Sequence, residues 1–160
     1  MFCLARLIRM EMTEFLTAVL DMDEMLPAVS QGAIGIQCRD DDASALKYLA
    51  GLNHQPTKTC VDCERAFLAA LDGNCRTPIA GQAVIVDGLL KFTGLLARED
   101  GSEVVRISRE GKPEDAVQIG TDAGAELKRQ APHLVEAFQL SGEEQMLVAP
   151  VKAKAAAATQ

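Results

Sequence analysis

The pattern of apolar and polar positions predicts a buried β-strand early in the chain. Residues 33–38 form a short apolar run, and Gly32 and Gly35 flank its core. Glycines there suggest that a ligand or another strand approaches the backbone closely, although a simple bend into a strand would give the same pattern. Residues 17–20 predict a second, shorter strand, and residues 4–9 read as the end of a helix.

Two helices are predicted after this strand. Apolar residues recur at helical spacing over 45–52, and three aspartates just before them can cap a helix. The second helix is expected to run from a cap at Thr57 or Thr59 to about Leu71. Glu64 is expected on its solvent-facing side. The apolar stripe of this helix consists of Val61, Phe67, Leu68 and Leu71.

The second half of the chain predicts an antiparallel sheet followed by a helix. The strand patterns cover residues 82–86, 89–98 and 103–109. Asp87 and Gly88 are a two-residue hairpin signal, and such short connections imply antiparallel neighbours. Pro113 suits the first turn of the next helix. In that helix Gly120 and Gly124 form one smooth face, which would allow it to lie close on a sheet.

Residues 56–150 therefore predict a small α+β domain, in which helices cover one face of a three-stranded antiparallel sheet. Residues 1–55 give an incomplete α/β remnant, because their buried strand has no partner strands in the chain. We expect the sequence to begin in the middle of a fold. The Ala-rich residues 151–160 show no packing pattern and predict a disordered tail.

Composition and charge argue against several classes of partner. The 160 residues are 48% hydrophobic, which is enough for a core, and the formal net charge is −7. This charge argues against nucleic acid and against an anionic membrane surface, since both attract clustered basic residues. No apolar run reaches the ~20 residues that span a bilayer.

The five cysteines favour reduced thiols in a cytosol-like compartment, because their odd number does not suit a disulfide framework. Cys60 and Cys63 have the spacing of a redox motif or of half a zinc site, but no second Cys or His pair completes the set. Since positions i and i+3 share a helix face, we interpret the pair as structural and predict no metal site.

Cys75 lies in a loop of a different character. A helical pattern ends just before the turn formers at 72–74, and Pro78 stiffens the exit into a strand pattern. Arg76 beside the thiol favours the thiolate, which is the nucleophilic form. We therefore predict a presented, reactive Cys75, and a small turn residue without chemistry is the alternative.

Four motifs carry a resemblance to a known family. They are LPAVSQGAIGI at residues 26–36, LNH at 52–54, CERAFL at 63–68 and DGNCRTPIAG at 72–81. In this order they resemble porphobilinogen deaminase, also called hydroxymethylbilane synthase, over about residues 4–140. The wording of the fourth motif is similar to the plastid-type and related bacterial branch.

The resemblance implies a function in tetrapyrrole biosynthesis. The family is a transferase that condenses four porphobilinogen units into linear hydroxymethylbilane and releases ammonia at each step. Its dipyrromethane cofactor is joined by a thioether to the loop cysteine, which is Cys75 by motif match. Gln31 and Gly32 are expected near this cofactor, and a purely structural role for them stays open.

The resemblance also assigns the parts of the chain. Residues 1–32 match the end of the second α/β domain of the family, and residues 33–55 match a strand and helix that cross back to the first. Residues 56–150 match the cofactor-carrying α+β domain at the C-terminus. The family's catalytic aspartate, and most of the arginines that hold the acetate and propionate groups of the substrate, lie upstream. No catalytic residue is therefore expected here, and the isolated chain is expected to be inactive.

The expected partner is porphobilinogen, a small-molecule substrate, with neither nucleic acid nor membrane, and the expected state is a monomer. If the chain comes from a photosynthetic eukaryote, the resemblance implies a plastid (chloroplast) location, and otherwise the cytoplasm.

Two other interpretations compete with an enzyme fragment. One is a non-catalytic binding or regulatory module derived from the C-terminal domain, which would require residues 1–55 to pack without further domains. The other is a metal or redox protein built on Cys60 and Cys63.

Overall fold

The computed structural model describes residues 4–74 and 77–137. Within these ranges the helices are α1 (Leu4–Arg9), α2 (Ala43–Ala50), α3 (Gln55–Ala70) and α4 (Ala116–Gln130), and the strands are β1 (Ile79–Val86), β2 (Leu89–Ala97) and β3 (Val104–Gly111). Single 3₁₀ turns occur at Thr13–Phe15 and Pro113–Asp115, and residues 132–137 are helical. No helix among the described residues has both the length and the apolar character needed to cross a membrane.

The strands β1, β2 and β3 form an antiparallel sheet in chain order. The register pairs Gly81 of β1 with Gly94 of β2, and Gly94 with Ile107 of β3. Asp87 and Gly88, which connect β1 to β2, have φ angles of 53° and 78°, as a type I′ hairpin turn requires. The predicted α+β class, its three strands and this hairpin are confirmed.

Helices α3 and α4 cover one face of the sheet and form an apolar core with it. Phe67 of α3 packs on Phe92 of β2, with ring centroids 4.9 Å apart and planes inclined at 59°. A Cβ atom on Gly94 would lie 2.6 Å from Phe67 Cζ, so only glycine leaves room for this ring. Burial of each phenylalanine contributes about 2 kcal/mol. The other large buried side chains are Leu71, Leu90, Leu96, Leu127, Leu134 and Val135.

The glycine face of α4 packs against α3, and the prediction that it lies on the sheet is wrong. A Cβ atom on Gly120 would overlap the backbone carbonyl oxygen of Cys63, and one on Gly124 would lie 2.6 Å from the Ala70 Cβ atom. The two helices lie side by side on the same sheet face, so the small residues of α4 meet the neighbouring helix. Larger residues of α4, such as Leu127, fill the core.

The strands predicted over 17–20 and 33–38 are not formed. Both segments are irregular chain without strand pairing, and Ile34 and Ile36 are 89% and 60% exposed. A strand needs a neighbour for its N–H and C=O groups, and the described strands pair only with each other. These two segments therefore have the apolar pattern of strands but do not pair with any described strand.

Helix α2 confirms the predicted helix and its aspartate cap. The Ala45 N–H donates to Asp42 Oδ1 at 2.9 Å. No residue of α2 is buried, and Leu46 is 46% exposed. Its apolar side therefore has no cover within the described residues.

The cap predicted for α3 at Thr57 or Thr59 is wrong. Helix α3 begins at Gln55, and the Thr57 N–H donates to Nδ1 of the His54 ring, which caps the helix at 3.4 Å. Pro56 in the first turn explains the earlier start, because its fixed φ suits that position.

The predicted domain boundaries at 32/33 and 55/56 remain predictions, and the predicted tail over 151–160 lies outside the described residues.

The α3–α4 contact gives a first testable prediction. Gly120→Ala is expected to lower the free energy of unfolding by about 3 kcal/mol, because the added methyl forces two helix backbones apart. Urea unfolding of the chain measures this change. Gly35→Ala is the matched control, since nothing lies within 4 Å of a Cβ atom there, and it is expected to change stability by less than about 0.5 kcal/mol. Equal urea midpoints for the two variants would contradict the packing described.

Candidate functional site

Helix α3 ends in a tight cap that leads directly into the predicted cysteine loop. Asp72 has a φ angle of 54°. The Gly73 N–H donates to the Leu68 carbonyl at 3.0 Å, and the Asp72 N–H donates to the Ala69 carbonyl at 3.1 Å, which is the Schellman pattern. A Cβ atom on Gly73 would lie 2.5 Å from Ile79 Cδ1. A side chain at position 73 would therefore require the ends of the Ile79 and Leu68 side chains to shift.

Asn74 and Thr77 close the base of this loop. The Asn74 N–H donates to Thr77 Oγ1 at 2.9 Å, and the Thr77 N–H donates to the Asn74 carbonyl at 3.1 Å. Thr77 is buried. Cys75 and Arg76, the predicted nucleophile and its basic neighbour, lie outside the described residues. The structure therefore describes the residues on either side of this pair, Asn74 and Thr77, and the role of Cys75 stays a prediction.

The loop base is attached to the domain on two further sides. The Ala97 N–H donates to the Pro78 carbonyl at 3.0 Å, which continues the β1–β2 pairing beyond Ile79. Lys128 Nζ of α4 lies 2.6 Å from Asp72 Oδ2. Both side chains of this ion pair are partly exposed, so it contributes no more than about 1 kcal/mol. Backbone pairing and packing are thus the main supports of the loop.

Residues 27–33 follow the outer edge of β1 and then turn away. The Gly81 N–H donates to the Pro27 carbonyl at 3.0 Å. Ser30 and Gly32 have φ angles of 62° and 86°, in the left-handed region that reverses a chain direction. The segment covers an edge strand that would otherwise expose open backbone donors and acceptors.

Glu64 joins α3, β1 and the 27–33 segment. The Ala83 N–H donates to its Oε1 at 2.8 Å, and the Ser30 N–H donates to its Oε2 at 2.6 Å. The residue is only 6% exposed. The predicted solvent-facing position is therefore wrong, because β1 and the 27–33 segment cover this side of α3. Burial raises the pKa of the Glu64 carboxyl, and the two amide hydrogen bonds limit that rise.

A cavity of about 480 Å³ lies between the 27–33 segment, α3 and β1. Gln31 and Gly32, the predicted cofactor contacts, line it together with Cys60 and Glu64. Its size suits a small ligand. The described lining residues include no Lys or Arg, and Glu64 adds a carboxylate. The cavity alone therefore does not fit a pyrrole that carries several carboxylates, which calls for arginine forks.

The structure does not bring the predicted cofactor contacts to the ends of the cysteine loop. On β1 the cavity is lined by residues 81–85, whereas the described loop ends, Asn74 and Thr77, are absent from its lining. Gln31 and Gly32 as cofactor contacts thus remain a prediction.

Cys60 and Cys63 lie on the covered side of α3 as free thiols. Burial raises the pKa of the fully buried Cys63 to about 12, with smaller contributions from Glu64 and Cys60. Such a thiol is protonated at neutral pH, which disfavours both nucleophilic attack and metal binding. Within residues 4–74 and 77–137, no three His, Cys, Asp or Glu side chains form a group that could hold a metal ion. The burial of Cys63 is consistent with the structural role interpreted for the pair, and the absence of a metal site stays a prediction.

Comparison with known proteins decides the family. The family model described as "Porphobilinogen deaminase, dipyromethane cofactor binding domain" matches residues 1–47. The model described as "Porphobilinogen deaminase, C-terminal domain" matches residues 58–129. The chain belongs to the porphobilinogen deaminase family. The C-terminal model takes in most of α3, the whole sheet and most of α4, and the other model includes Gln31 and Gly32.

Individual relatives agree with this assignment. The chloroplastic porphobilinogen deaminase of Pisum sativum is 52% identical over 134 residues, which are 82% of this chain and 36% of that relative. The chloroplastic enzyme of Oryza sativa subsp. japonica is 54% identical over 135 residues, 82% of this chain and 37% of the relative. Porphobilinogen deaminase of Paracoccus denitrificans (strain Pd 1222) is 43% identical over 129 residues, 81% of this chain and 41% of the relative. The chain spans about two fifths of the length of these relatives, and it is more similar to the two chloroplastic relatives than to the Paracoccus one.

Sequence reasoning missed two polar groups of the site, the Glu64 carboxylate and the Thr77 hydroxyl. A signal for Glu64 was present in the sequence. Glu64 lies four residues after Cys60 and three before Phe67, so it shares their helix face, which is the buried side of α3. A carboxylate on such a stripe needs buried donors. No comparable signal marks Thr77, since its partner is a backbone amide three residues away.

The buried carboxylate predicts a pH dependence of stability. The folded chain binds the Glu64 proton more tightly than the unfolded chain, so the free energy of unfolding falls as pH rises from about 4.3 through the raised pKa. Glu64→Gln does not titrate and is expected to lose this decrease. Urea unfolding at a series of pH values between about 4 and 7 measures it.

The exposed Glu136→Gln is the matched control and is expected to keep the decrease. A Glu64→Gln variant with the same pH slope as the unsubstituted chain would show that this carboxylate is not the group responsible.

Proposed function

We propose that this chain is the cofactor-carrying C-terminal part of a hydroxymethylbilane synthase. That enzyme joins four porphobilinogen molecules into linear hydroxymethylbilane and releases ammonia at each step, in the tetrapyrrole biosynthesis that leads to heme and chlorophyll. The observation that carries the proposal is the match to two porphobilinogen deaminase family models in order along the chain. The DGNCRTPIAG motif, which contains Cys75, falls within the second match.

We propose Cys75 as the residue that anchors a dipyrromethane cofactor, one per chain. The thioether forms when the Cys75 sulfur replaces the amino group on an aminomethyl carbon, so that a C–S bond forms, the C–N bond breaks and the thiol proton leaves with ammonia. A thioether resists hydrolysis, so the anchor is permanent. When bound, the cofactor supplies the pyrrole end to which further units are joined. The bonded pair Asn74 and Thr77 holds the root of that assembly.

Three of the five described arginines of residues 56–137 are engaged elsewhere. Arg98 pairs with Glu103 at 2.8 Å, Arg109 pairs with Glu126, and Arg106 donates to the Asp23 carbonyl at 3.3 Å. These are dispersed contacts, and they do not form forks for acetate and propionate groups. We propose that the catalytic aspartate and the substrate-binding arginines belong to the part of the relatives that this chain does not span. The chain alone is accordingly expected to be inactive.

The location and partners follow from the same assignment. The chloroplastic relatives of Pisum sativum and Oryza sativa subsp. japonica are the basis for proposing a plastid location. Porphobilinogen is the proposed substrate, and we propose a monomer without nucleic acid or membrane as partners.

An independent, non-catalytic module is a weaker alternative. It requires residues 33–38 to be packed in this chain, and Ile34 and Ile36 are largely exposed. Hydrogen exchange distinguishes the two functions, because protection over 33–38 in the isolated chain would favour the module.

The anchor gives a direct prediction. We define the joined enzyme as this chain fused after the upstream region of the Pisum sativum relative. Expressed in a host with an active tetrapyrrole pathway, it is expected to gain the mass of one dipyrromethane, and Cys75→Ala is expected to abolish both this gain and hydroxymethylbilane formation. Intact mass spectrometry and a product assay measure the two outcomes.

Cys38→Ala, which removes an exposed thiol, is the control and is expected to keep adduct and activity. An active Cys75→Ala enzyme would refute the proposed anchor.

A further inference from the structure

An aspartate followed by a glycine occurs three times in the chain, at residues 72–73, 87–88 and 100–101. In such a pair the glycine nitrogen can reach the carboxyl group of the aspartate, because glycine has no side chain to obstruct the approach. The reacting residues are the same in all three pairs. Differences in their reactivity therefore depend on how the fold engages the nitrogen and the carboxyl group.

The fold engages both groups of the first pair. The Gly73 N–H donates to the Leu68 carbonyl at 3.0 Å, and Lys128 Nζ lies 2.6 Å from Asp72 Oδ2. The space around Gly73 is also filled, since a Cβ atom there would lie 2.7 Å from Leu68 Cδ1. Attack by this nitrogen first requires the end of α3 to open.

The third pair is engaged in a similar way within the β2–β3 connection. The Gly101 N–H donates to the Arg98 carbonyl at 2.9 Å. Asp100 Oδ1 accepts the Ser102 N–H at 2.9 Å and the Ser102 hydroxyl at 2.6 Å. These bonds direct the carboxylate towards Ser102 and away from the Gly101 nitrogen.

The second pair, at the tip of the β1–β2 hairpin, has neither form of protection. Asp87 and Gly88 are both exposed, and nothing lies within 4 Å of a Cβ atom built on Gly88. Among the residues that the structure describes, none accepts the Gly88 N–H or pairs with the Asp87 carboxylate. Asp87 also has a φ angle of 53°, which is unfavourable for a residue with a side chain. Leaving this conformation relieves strain.

We propose that Asp87 is a site of isoaspartate formation. The Gly88 nitrogen attacks Asp87 Cγ, so that an N–Cγ bond forms and the carboxyl OH leaves with the amide proton as water. Water then adds to the main-chain carbonyl carbon of the resulting cyclic imide and breaks its bond to nitrogen. The main chain afterwards runs through Cγ, and a carboxylate remains on Cα. One water is lost and one is gained, so no further reactant is needed.

This rearrangement changes the hairpin, because it adds one carbon atom to the main chain of a two-residue turn. The type I′ geometry that pairs Val86 with Leu89 fits the unmodified backbone. Hydrogen exchange at the hairpin end of β1 and β2 is therefore expected to rise about tenfold in the isoaspartate form.

Peptide mapping of the folded chain tests the proposal. The chain is incubated in mildly acidic buffer, where a carboxyl group loses water most readily, and is then digested with trypsin. The three pairs fall in separate peptides, residues 66–76, 77–91 and 99–106. Enzymatic methylation of isoaspartyl carboxylates measures each peptide, and an unincubated sample corrects for the digestion. Peptide 77–91 is expected to exceed either of the others about tenfold, because their bonded groups must open before they react.

Incubation in urea is the control for local sequence. Unfolding removes the hydrogen bonds that protect the other two pairs, so the three peptides are expected to agree within about twofold. Asp87→Glu is expected to abolish the signal of peptide 77–91 in the folded chain, because the longer side chain closes a less favourable ring. Ser102→Ala removes one bond to Asp100 and is expected to raise the signal of peptide 99–106 about threefold.

Equal methylation of the three peptides in the folded chain would overturn the proposal, and so would a signal in peptide 77–91 that Asp87→Glu retains. A tenfold excess of peptide 77–91 that persists in urea would assign the reactivity to the neighbouring sequence and would also overturn it.

Discussion

The buried carboxylate of Glu64 is the contact on which the arrangement of this chain depends. It accepts the amide of Ala83 from the edge of the sheet and the amide of Ser30 from the N-terminal region. A buried carboxylate is costly unless hydrogen bonds satisfy it, and these two donors come from separate parts of the chain. Neither part can move away without leaving the charge unpaired. Together with the Gly81 N–H bond to the Pro27 carbonyl, this side chain links the N-terminal region to the α+β domain.

The two regions that Glu64 joins differ in how they are stabilised. The C-terminal domain has a continuous core in which Phe67 and Phe92 pack at the centre and the glycines of α4 allow close contact with α3. Residues 33–52, in contrast, expose Ile34, Ile36 and Leu52 and bury nothing in α2. Exposed apolar residues in regular patterns are typical of an element that packs against something else. Among the described residues, the contacts given for the ends of the cysteine loop come from the C-terminal domain.

The parts of the fold that depend on local sequence were predictable. The hairpin at Asp87 and Gly88, the strands and the aspartate cap of α2 each follow from residues that are adjacent in the chain. Features that depend on distant parts were not predictable. Residues 33–38 can form a strand only where another strand is available to pair with them. Glu64 is buried only because residues 27–33 run across this side of α3. Gly120 and Gly124 were identified correctly as a close-packing face, and only the identity of the neighbour was wrong.

The candidate site shows the same division. The turn residues around Cys75 and the resemblance of its motif identified the loop from sequence, whereas the Thr77 hydroxyl bond and the packing of Gly73 became visible only in three dimensions. Gln31 and Gly32 were selected by motif, and the structure places them in a cavity beside Glu64 without basic groups among its described lining. The motif thus selects the loop and the structure describes its two ends, and both predicted cofactor contacts, Cys75 and the Gln31–Gly32 pair, are left to experiment.

The most direct measurement is peptide mapping of the cofactor in the joined enzyme. Trypsin separates the thiols, because residues 66–76 carry Cys75 alone, whereas Cys38 and the pair Cys60 and Cys63 fall in other peptides. The account predicts that the added dipyrromethane mass is found on residues 66–76 and on no other cysteine peptide. The same mass on the peptide with Cys38 or on that with Cys60 and Cys63, or its absence from an active enzyme, would contradict the account.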